Sequence, residues 1–181
     1  MTIQQTPLKD CVIVTPKVFR DSRGSFLESF NQKAFYGATE LPVDFVQDNL
    51  STSSKGVLRG LHFQTGNYAQ AKLVSVLKGS VLDVCVDLRR DSKTFGEHFS
   101  IKLDDKTKTQ LFVPKGFAHG FLVLEDETIF SYKCDNYYNK EAESGIIYND
   151  PYLNINWGIS ESELILSEKD KQLPTFESLF K

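Results

Sequence analysis

Lys72-Leu73-Val74-Ser75-Val76-Leu77-Lys78-Gly79-Ser80-Val81-Leu82-Asp83-Val84-Cys85-Val86-Asp87-Leu88 reads as two alternating runs broken at Lys78-Gly79-Ser80. In the second run Leu82, Val84, Val86 and Leu88 share one face, while Val81, Asp83, Cys85 and Asp87 share the other. That is the period of a β-strand. The first face packs an apolar core; the second carries carboxylates and, in a sandwich or barrel, lines a polar cavity. Outward from this pair, strand signals cover 11–19, with Pro16 marking an edge or bulge, and then 25–30, 98–103 and 109–113. They continue over 120–124, 128–135, 145–148 and 155–157. Asp21-Ser22-Arg23-Gly24 is a turn signal, 31–36 fits one helical turn, and a weak helical period over 160–173 stops at Pro174. Short strands with frequent turns predict an all-β fold. The expected architecture is an antiparallel jelly roll or small barrel of the cupin type with short peripheral helices, one domain over residues 1–181.

The composition sets bounds on function. A chain of 181 residues buries roughly 70% of its unfolded surface and needs no disulfide or metal to fold. A net charge of −3 without long runs of one sign argues against nucleic acid and anionic membranes as partners. Cys11, Cys85 and Cys134 are widely separated and read as buried thiols in a reducing compartment. The N-terminus carries no signal segment and no apolar run approaches ~18 residues, so the expected location is cytoplasmic.

The chemistry concentrates in Gly56-Val57-Leu58-Arg59-Gly60-Leu61-His62-Phe63-Gln64, where glycines flank a cation and allow close backbone approach to a ligand. Only three histidines exist, and His62 is the best candidate for a general base. A metal site would need a compact imidazole cluster. Gln64 stands two residues after His62, and His98 and His119 lie far away, so no metal is expected. Pro114-Lys115-Gly116-Phe117-Ala118-His119-Gly120-Phe121 carries a turn signal with His119 where a strand begins, and His98 reads as surface or strand end. Lys72 shares parity with Val74 and Val76, so its ammonium enters any cavity that this face lines. Tyr132 alternates likewise in Phe130-Ser131-Tyr132-Lys133-Cys134, while Tyr137 and Tyr138 can stack on a base or sugar. Asp170 reads as a solvated acid unless the tail folds back to orient an imidazole.

Taken in order, these stretches resemble the dTDP-4-dehydrorhamnose 3,5-epimerase family over nearly the whole chain. The resemblance rests on Arg20-Asp21-Ser22-Arg23-Gly24-Ser25-Phe26 with Glu28, on Gln47-Asp48-Asn49 and Ser51, and on 56–64. It continues through Ala71-Lys72-Leu73, 83–89, 114–121, Tyr132-Lys133, Asn149-Asp150-Pro151 and Ser167-Glu168-Lys169-Asp170. Phe63 departs from it, standing where a tyrosine is common. The resemblance implies a jelly-roll homodimer without metal or organic cofactor, acting on dTDP-4-dehydro-6-deoxy-glucose and inverting C3 and C5. It implies His62 as base, Asp170 as its orienting carboxylate, Lys72 at the 4-keto oxygen and Tyr132 as the acid on the opposite face. Arg23 and Arg59 match diphosphate and nucleotide positions. Glu28, Gln47, Asp48 and Asn49 match nucleotide contacts, and Phe26 and Tyr138 match positions that pack against thymine. His119 matches a position near the sugar, and Glu143 and Lys169 match peripheral contacts. Part of the nucleotide site comes from the partner's N-terminal segment.

This chemistry suits those residue types. Both reacting C–H bonds lie α to a ketone, so deprotonation gives an enolate, and a preorganised cation at its oxygen is worth about 3–4 kcal/mol. Imidazole, with an ordinary pKa of roughly 6.5, is neutral enough and basic enough to take the proton. Inversion requires a proton returned from the other face, which a phenol can supply. The rival readings are a 3-epimerase or 3,4-ketoisomerase on a related sugar, a non-catalytic sugar-nucleotide binder, and a metal-dependent cupin oxygenase.

Overall fold

The computed structural model describes residues 1–180; the last residue of the expected 1–181 domain, Lys181, lies outside the described residues. Two antiparallel sheets face each other. The first runs Thr2–Gln5, Val12–Thr15, Gln110–Val113, Lys72–Lys78, Thr128–Cys134, Gln47–Ser53 in spatial order. The second runs Glu143–Gly145, Leu58–Gln64, Phe117–Val123, Ser80–Asp87, His98–Asp104. A separate hairpin pairs Val18–Asp21 with Gly24–Leu27. The jelly roll expected from alternation is present.

Three apolar layers hold it together. Between the sheets lie Val74, Val76, Val81, Cys85, Leu111, Phe117, Phe121 and Phe130. Outside the first sheet, helix Gln32–Thr39 seats Phe35 against Val12, Val14, Leu73 and Phe112. Outside the second, the C-terminal segment lays Ile146, Tyr148, Leu153, Trp157 and Phe176 over Leu58, Val84, Val86 and Leu122. Both faces of the Ser80–Asp87 strand are therefore buried in apolar surroundings. That corrects the expected split into an apolar and a carboxylate face. Of its two acids only Asp83 contacts a residue of the cleft described below; Asp87 is bound by Arg89, Ser92 and Thr94. Burial pushes the Asp87 carboxyl up, but those donors outweigh it and hold it down to about 2.

Several boundaries differ from expectation for local reasons. Pro16 breaks 11–19 into two strands that belong to different sheets. Helix Gln32–Thr39 runs through Gly37 and ends at Glu40 in the left-handed region. Of 145–148 only Gly145 belongs to a strand, with Ile146 still exchanging two backbone hydrogen bonds with Leu61, and 155–157 forms no strand. There the buried Asp150 carboxylate accepts backbone N–H bonds from Tyr152, Leu153 and Phe176, replacing ladder partners. The span 160–173 holds two 3-10 turns, Glu161–Glu163 and Asp170–Gln172. The strands Thr2–Gln5 and Gln47–Ser53 gave no apolar signal because each is a sheet edge of polar composition.

One irregularity matters most. The register between the His62 and His119 strands pairs His119 with His62 but Phe121 with Arg59, so Leu58–Gln64 carries one extra residue. This is a β-bulge. Gly60 adopts φ +126°, and a Cβ there would stand 2.6 Å from Gly120 Cα. The glycines serve backbone-to-backbone contact, not the expected approach to a ligand. Gly60→Ala is expected to cost more than ~2 kcal/mol in urea unfolding, through contact and strained φ together. Gly37→Ala, in the helix with nothing within 4 Å of the added Cβ, is expected to stabilise by up to about 1 kcal/mol. Equal effects would refute the role given to the bulge.

Candidate active site

A cleft of about 550 Å³ opens between the sheets, lined by Arg59, His62, Lys72, His119, Tyr132 and Asp170 among others. A smaller recess of about 130 Å³ shares His62, Lys72 and Tyr132 with it and adds Gln47, Asn49, Gln64, Tyr138 and Glu143. His62 projects from the second sheet, whereas Lys72 and Tyr132 come from adjacent strands of the first, so imidazole and phenol approach from opposite walls. Arg59 and His62, three residues apart, would face opposite ways in a regular strand; the bulge turns both into the cleft.

Asp170 reaches His62 because the tail folds back along the same strand. Val57 bridges Ile165 in parallel, with Leu58 N–H donating to Ile165 C=O and Ile165 N–H to Gly56 C=O. Gly56, at φ +85°, permits this approach, since a Cβ there would lie 2.5 Å from Glu163 O. His62 Nε2–H then donates to Asp170 Oδ1 at 2.6 Å. Burial pushes the Asp170 carboxyl up, but the His62 hydrogen bond and charge, the Gly60 amide and Ser167 outweigh it and leave it below its ordinary value. Asp170 is therefore an ionised partner that leaves Nδ1 as the free ring nitrogen.

Lys72 and Tyr132 lie together, the ammonium 5.8 Å from the centroid of the phenol ring. Burial pulls the Lys72 pKa below 10.5, while Cys134, Asp83 and Glu143 act the other way. Burial likewise pushes the Tyr132 phenol above 10.0. The Tyr132 hydroxyl has no hydrogen-bond partner among the described residues, so it is free to meet a ligand. His119 lies near the start of a strand, as expected: it is the third residue of Phe117–Val123, buried, with Nε2 on Asp83. Its ring stacks at 6.1 Å on Phe130, and Phe121 stacks on Phe130 at 4.0 Å to close the floor between the sheets.

At the mouth, Glu143 accepts from the Tyr138 hydroxyl at 2.9 Å and pairs with Lys169. Burial pushes the Glu143 carboxyl up, but Lys169 and Tyr138 outweigh it and hold it low. Gln47 and Asn49 alternate inward along their strand, so Asp48 points outward and pairs with Lys133 at 2.9 Å. Asp48 is thus not a cleft residue, as the alternation of its strand requires. Arg23, Phe26 and Glu28 line neither cavity. Arg23 is paired with Asp21 on the exposed hairpin, and Phe26 is 70% exposed. Two cleft partners had no role of their own in the sequence: Asp83, whose inward parity was visible but not its meeting with His119, and Ser51, whose buried hydroxyl has no partner among the described residues. His98 is an exposed strand start, as expected. No group of three or more His, Cys, Asp or Glu among the described residues is placed to hold a metal ion.

Comparison with known proteins agrees with this geometry. A family model described as dTDP-4-dehydrorhamnose 3,5-epimerase matches residues 5–178. The Escherichia coli K12 dTDP-4-dehydrorhamnose 3,5-epimerase is 51% identical over 181 residues, covering 100% of this chain and 97% of the relative. The crystal structure of the enzyme of that name from Elizabethkingia anophelis NUHP1 superimposes with a TM-score of 0.96 at 54% identity, over 100% of this chain and 99% of that one. A Legionella pneumophila 3,5-epimerase solved with dTDP-4-keto-L-rhamnose gives a TM-score of 0.93 at 45% identity, over 97% of this chain and 93% of that one. With the fold, the cleft and these similarities in agreement, the chain belongs to the dTDP-4-dehydrorhamnose 3,5-epimerase family.

Proposed function

We propose that the chain converts dTDP-4-dehydro-6-deoxy-D-glucose into dTDP-4-dehydro-L-rhamnose, inverting C3 and C5 through enolates. The reading rests on one observation: His62 and Tyr132 stand on opposite walls of one cleft with Lys72 beside the phenol. A non-catalytic binder has no use for an ionised carboxylate behind an imidazole that shares one cleft with an unbonded phenol. His62 Nδ1 takes the proton from carbon, and Asp170 stabilises the imidazolium that forms. Charge moves to the C4 oxygen, where the Lys72 ammonium meets it. Tyr132 returns a proton to the other face, which completes inversion; the imidazolium then gives its proton to water and the phenolate regains one, so that the step repeats at the second carbon. Oxidation level is unchanged throughout.

Arg59, one of the cations lining the cleft, binds the diphosphate in this reading, and Gln47 and Asn49 of the recess bind the nucleotide. Arg23, Phe26 and Glu28 serve the same nucleotide from a partner subunit. Their hairpin stands outside its own cleft with Phe19 and Phe26 exposed, as a homodimer exchanging that arm requires.

Incubation with the ketosugar in D2O should place deuterium at both C3 and C5 of the product. His62→Ala is expected to lower turnover at least ~10³-fold and to abolish exchange at both carbons. Tyr132→Phe should keep exchange at one carbon while blocking inversion there; equal loss of every step would remove Tyr132 as the acid. A product labelled at C3 alone would favour the 3-epimerase reading.

Activity needs the Lys72 ammonium, and burial lowers its pKa while raising that of Tyr132. Turnover should therefore fall as pH rises through a value below 10.5, with Tyr132 still protonated. In an active Lys72→Arg variant, whose guanidinium stays charged, this alkaline limb should move upward. A limb that stays in place belongs to another group.

A further inference from the structure

A second imidazole–carboxylate pair lies in the same cleft. His119 Nε2 stands 3.1 and 2.9 Å from the two oxygens of Asp83. The side chains are 6% and 0% exposed. His119 and His62 are register partners on neighbouring strands, so their rings project into one cleft from adjacent positions. Each spends Nε2 on its own acid. His119 Nδ1 has no hydrogen-bond partner among the described residues and is not sealed from the cleft.

Asp83 has no other hydrogen-bond donor among the described residues, although it sits between Val81 and Cys85 of the inter-sheet core. A carboxylate buried there for one donor is a poor structural device, because apolar residues of similar volume would pack at least as well. Its surroundings give another reason for it. Lys72 is faced by Cys134 and Tyr132 from the next strand and, from the opposite sheet, by Glu143, His62, His119 and Asp83. Asp83 attracts the ammonium against the desolvation that works to discharge it.

We propose that Asp83 is a positioning residue of the epimerisation, fixing which nitrogen of His119 faces the ketosugar and holding a negative charge behind the Lys72 ammonium. This rests on the epimerase reading above. His119 then touches the sugar through Nδ1, and Asp83 acts only through its two neighbours.

The test is the pH–rate profile of the full chain with dTDP-4-dehydro-6-deoxy-glucose. Asp83→Asn keeps the shape and removes the charge. Turnover is expected to fall ~10–100-fold with KM changed less than about threefold. The alkaline limb should move down by about 1 pH unit, since the ammonium loses its support. A merely structural aspartate would lower the folded fraction and leave the limb in place, and that result overturns the proposal. His119→Gln retains the Asp83 charge, so it should lose turnover with the limb unmoved. Should Asp83→Asn not fold, His119→Gln decides alone: wild-type turnover in it overturns the proposal. A wild-type protein inert on the ketosugar overturns the epimerase reading instead, whereas an active wild type with an unmoved Asp83→Asn limb overturns only the assignment of Asp83.

Discussion

A single extra residue in the Leu58–Gln64 strand decides what faces the cleft. Without it, Arg59 and His62 would point to opposite sides of the sheet, and the cation and the imidazole could not share a ligand. The insertion is tolerated because Gly60 and Gly120 meet backbone to backbone, leaving no room for side chains on either strand. The bulge also sends the Gly60 amide toward Asp170, the carboxylate that serves His62. One local irregularity thus sets the direction of two side chains and helps hold a third.

The rest of the sandwich keeps that arrangement rigid. Each sheet is covered outside by its own apolar layer, so neither can tilt without exposing buried surface. The Phe121–Phe130 stack ties the two inner faces together at the floor of the cleft that His62, Lys72 and Tyr132 line. The cleft opens where the first sheet ends in the Gln47–Ser53 strand, whose inward row is polar: Gln47, Asn49, Ser51 and Ser53. Arg59 donates to Ser53 at 3.2 Å across this row. A polar edge strand facing a bulged strand leaves a wet pocket beside a dry core without breaking either sheet.

Alternation made the core strands legible, and with them the inward parity of Lys72 and Tyr132, because each residue's face follows from its own strand. The Cys85–Asp83 parity was equally visible. What escaped were relations between strands. The bulge needs the register of a neighbour, and the glycines at 56 and 60 could be read as serving a ligand as easily as a backbone. The polar edge strands lack apolar periodicity, and the covering segment 146–157 is held by Asp150 and not by a ladder. Asp170, 108 residues from His62, had no local signal; only the order of motifs along the chain pointed to it. Asp48 was misplaced for the opposite reason, since the motif Gln47-Asp48-Asn49 was taken as a block when its strand presents only alternate members.

The cleft also resolves an electrostatic conflict. An ammonium removed from water tends to discharge, and a discharged lysine could not stabilise an enolate. The site answers by placing carboxylates near Lys72 but not in contact with it. Asp83 is turned to His119 and Glu143 to Lys169 and Tyr138, so neither forms an ion pair with the Lys72 ammonium. A direct ion pair would neutralise the charge that the proposed enolate oxygen needs, whereas acids held at one remove oppose discharge of the ammonium yet leave its donors free. The same burial that strains Lys72 raises the Tyr132 phenol, keeping the proposed acid protonated. In the proposed mechanism, the burial that keeps the Tyr132 phenol protonated favours proton return, while Asp83 and Glu143 counter the effect of burial on Lys72.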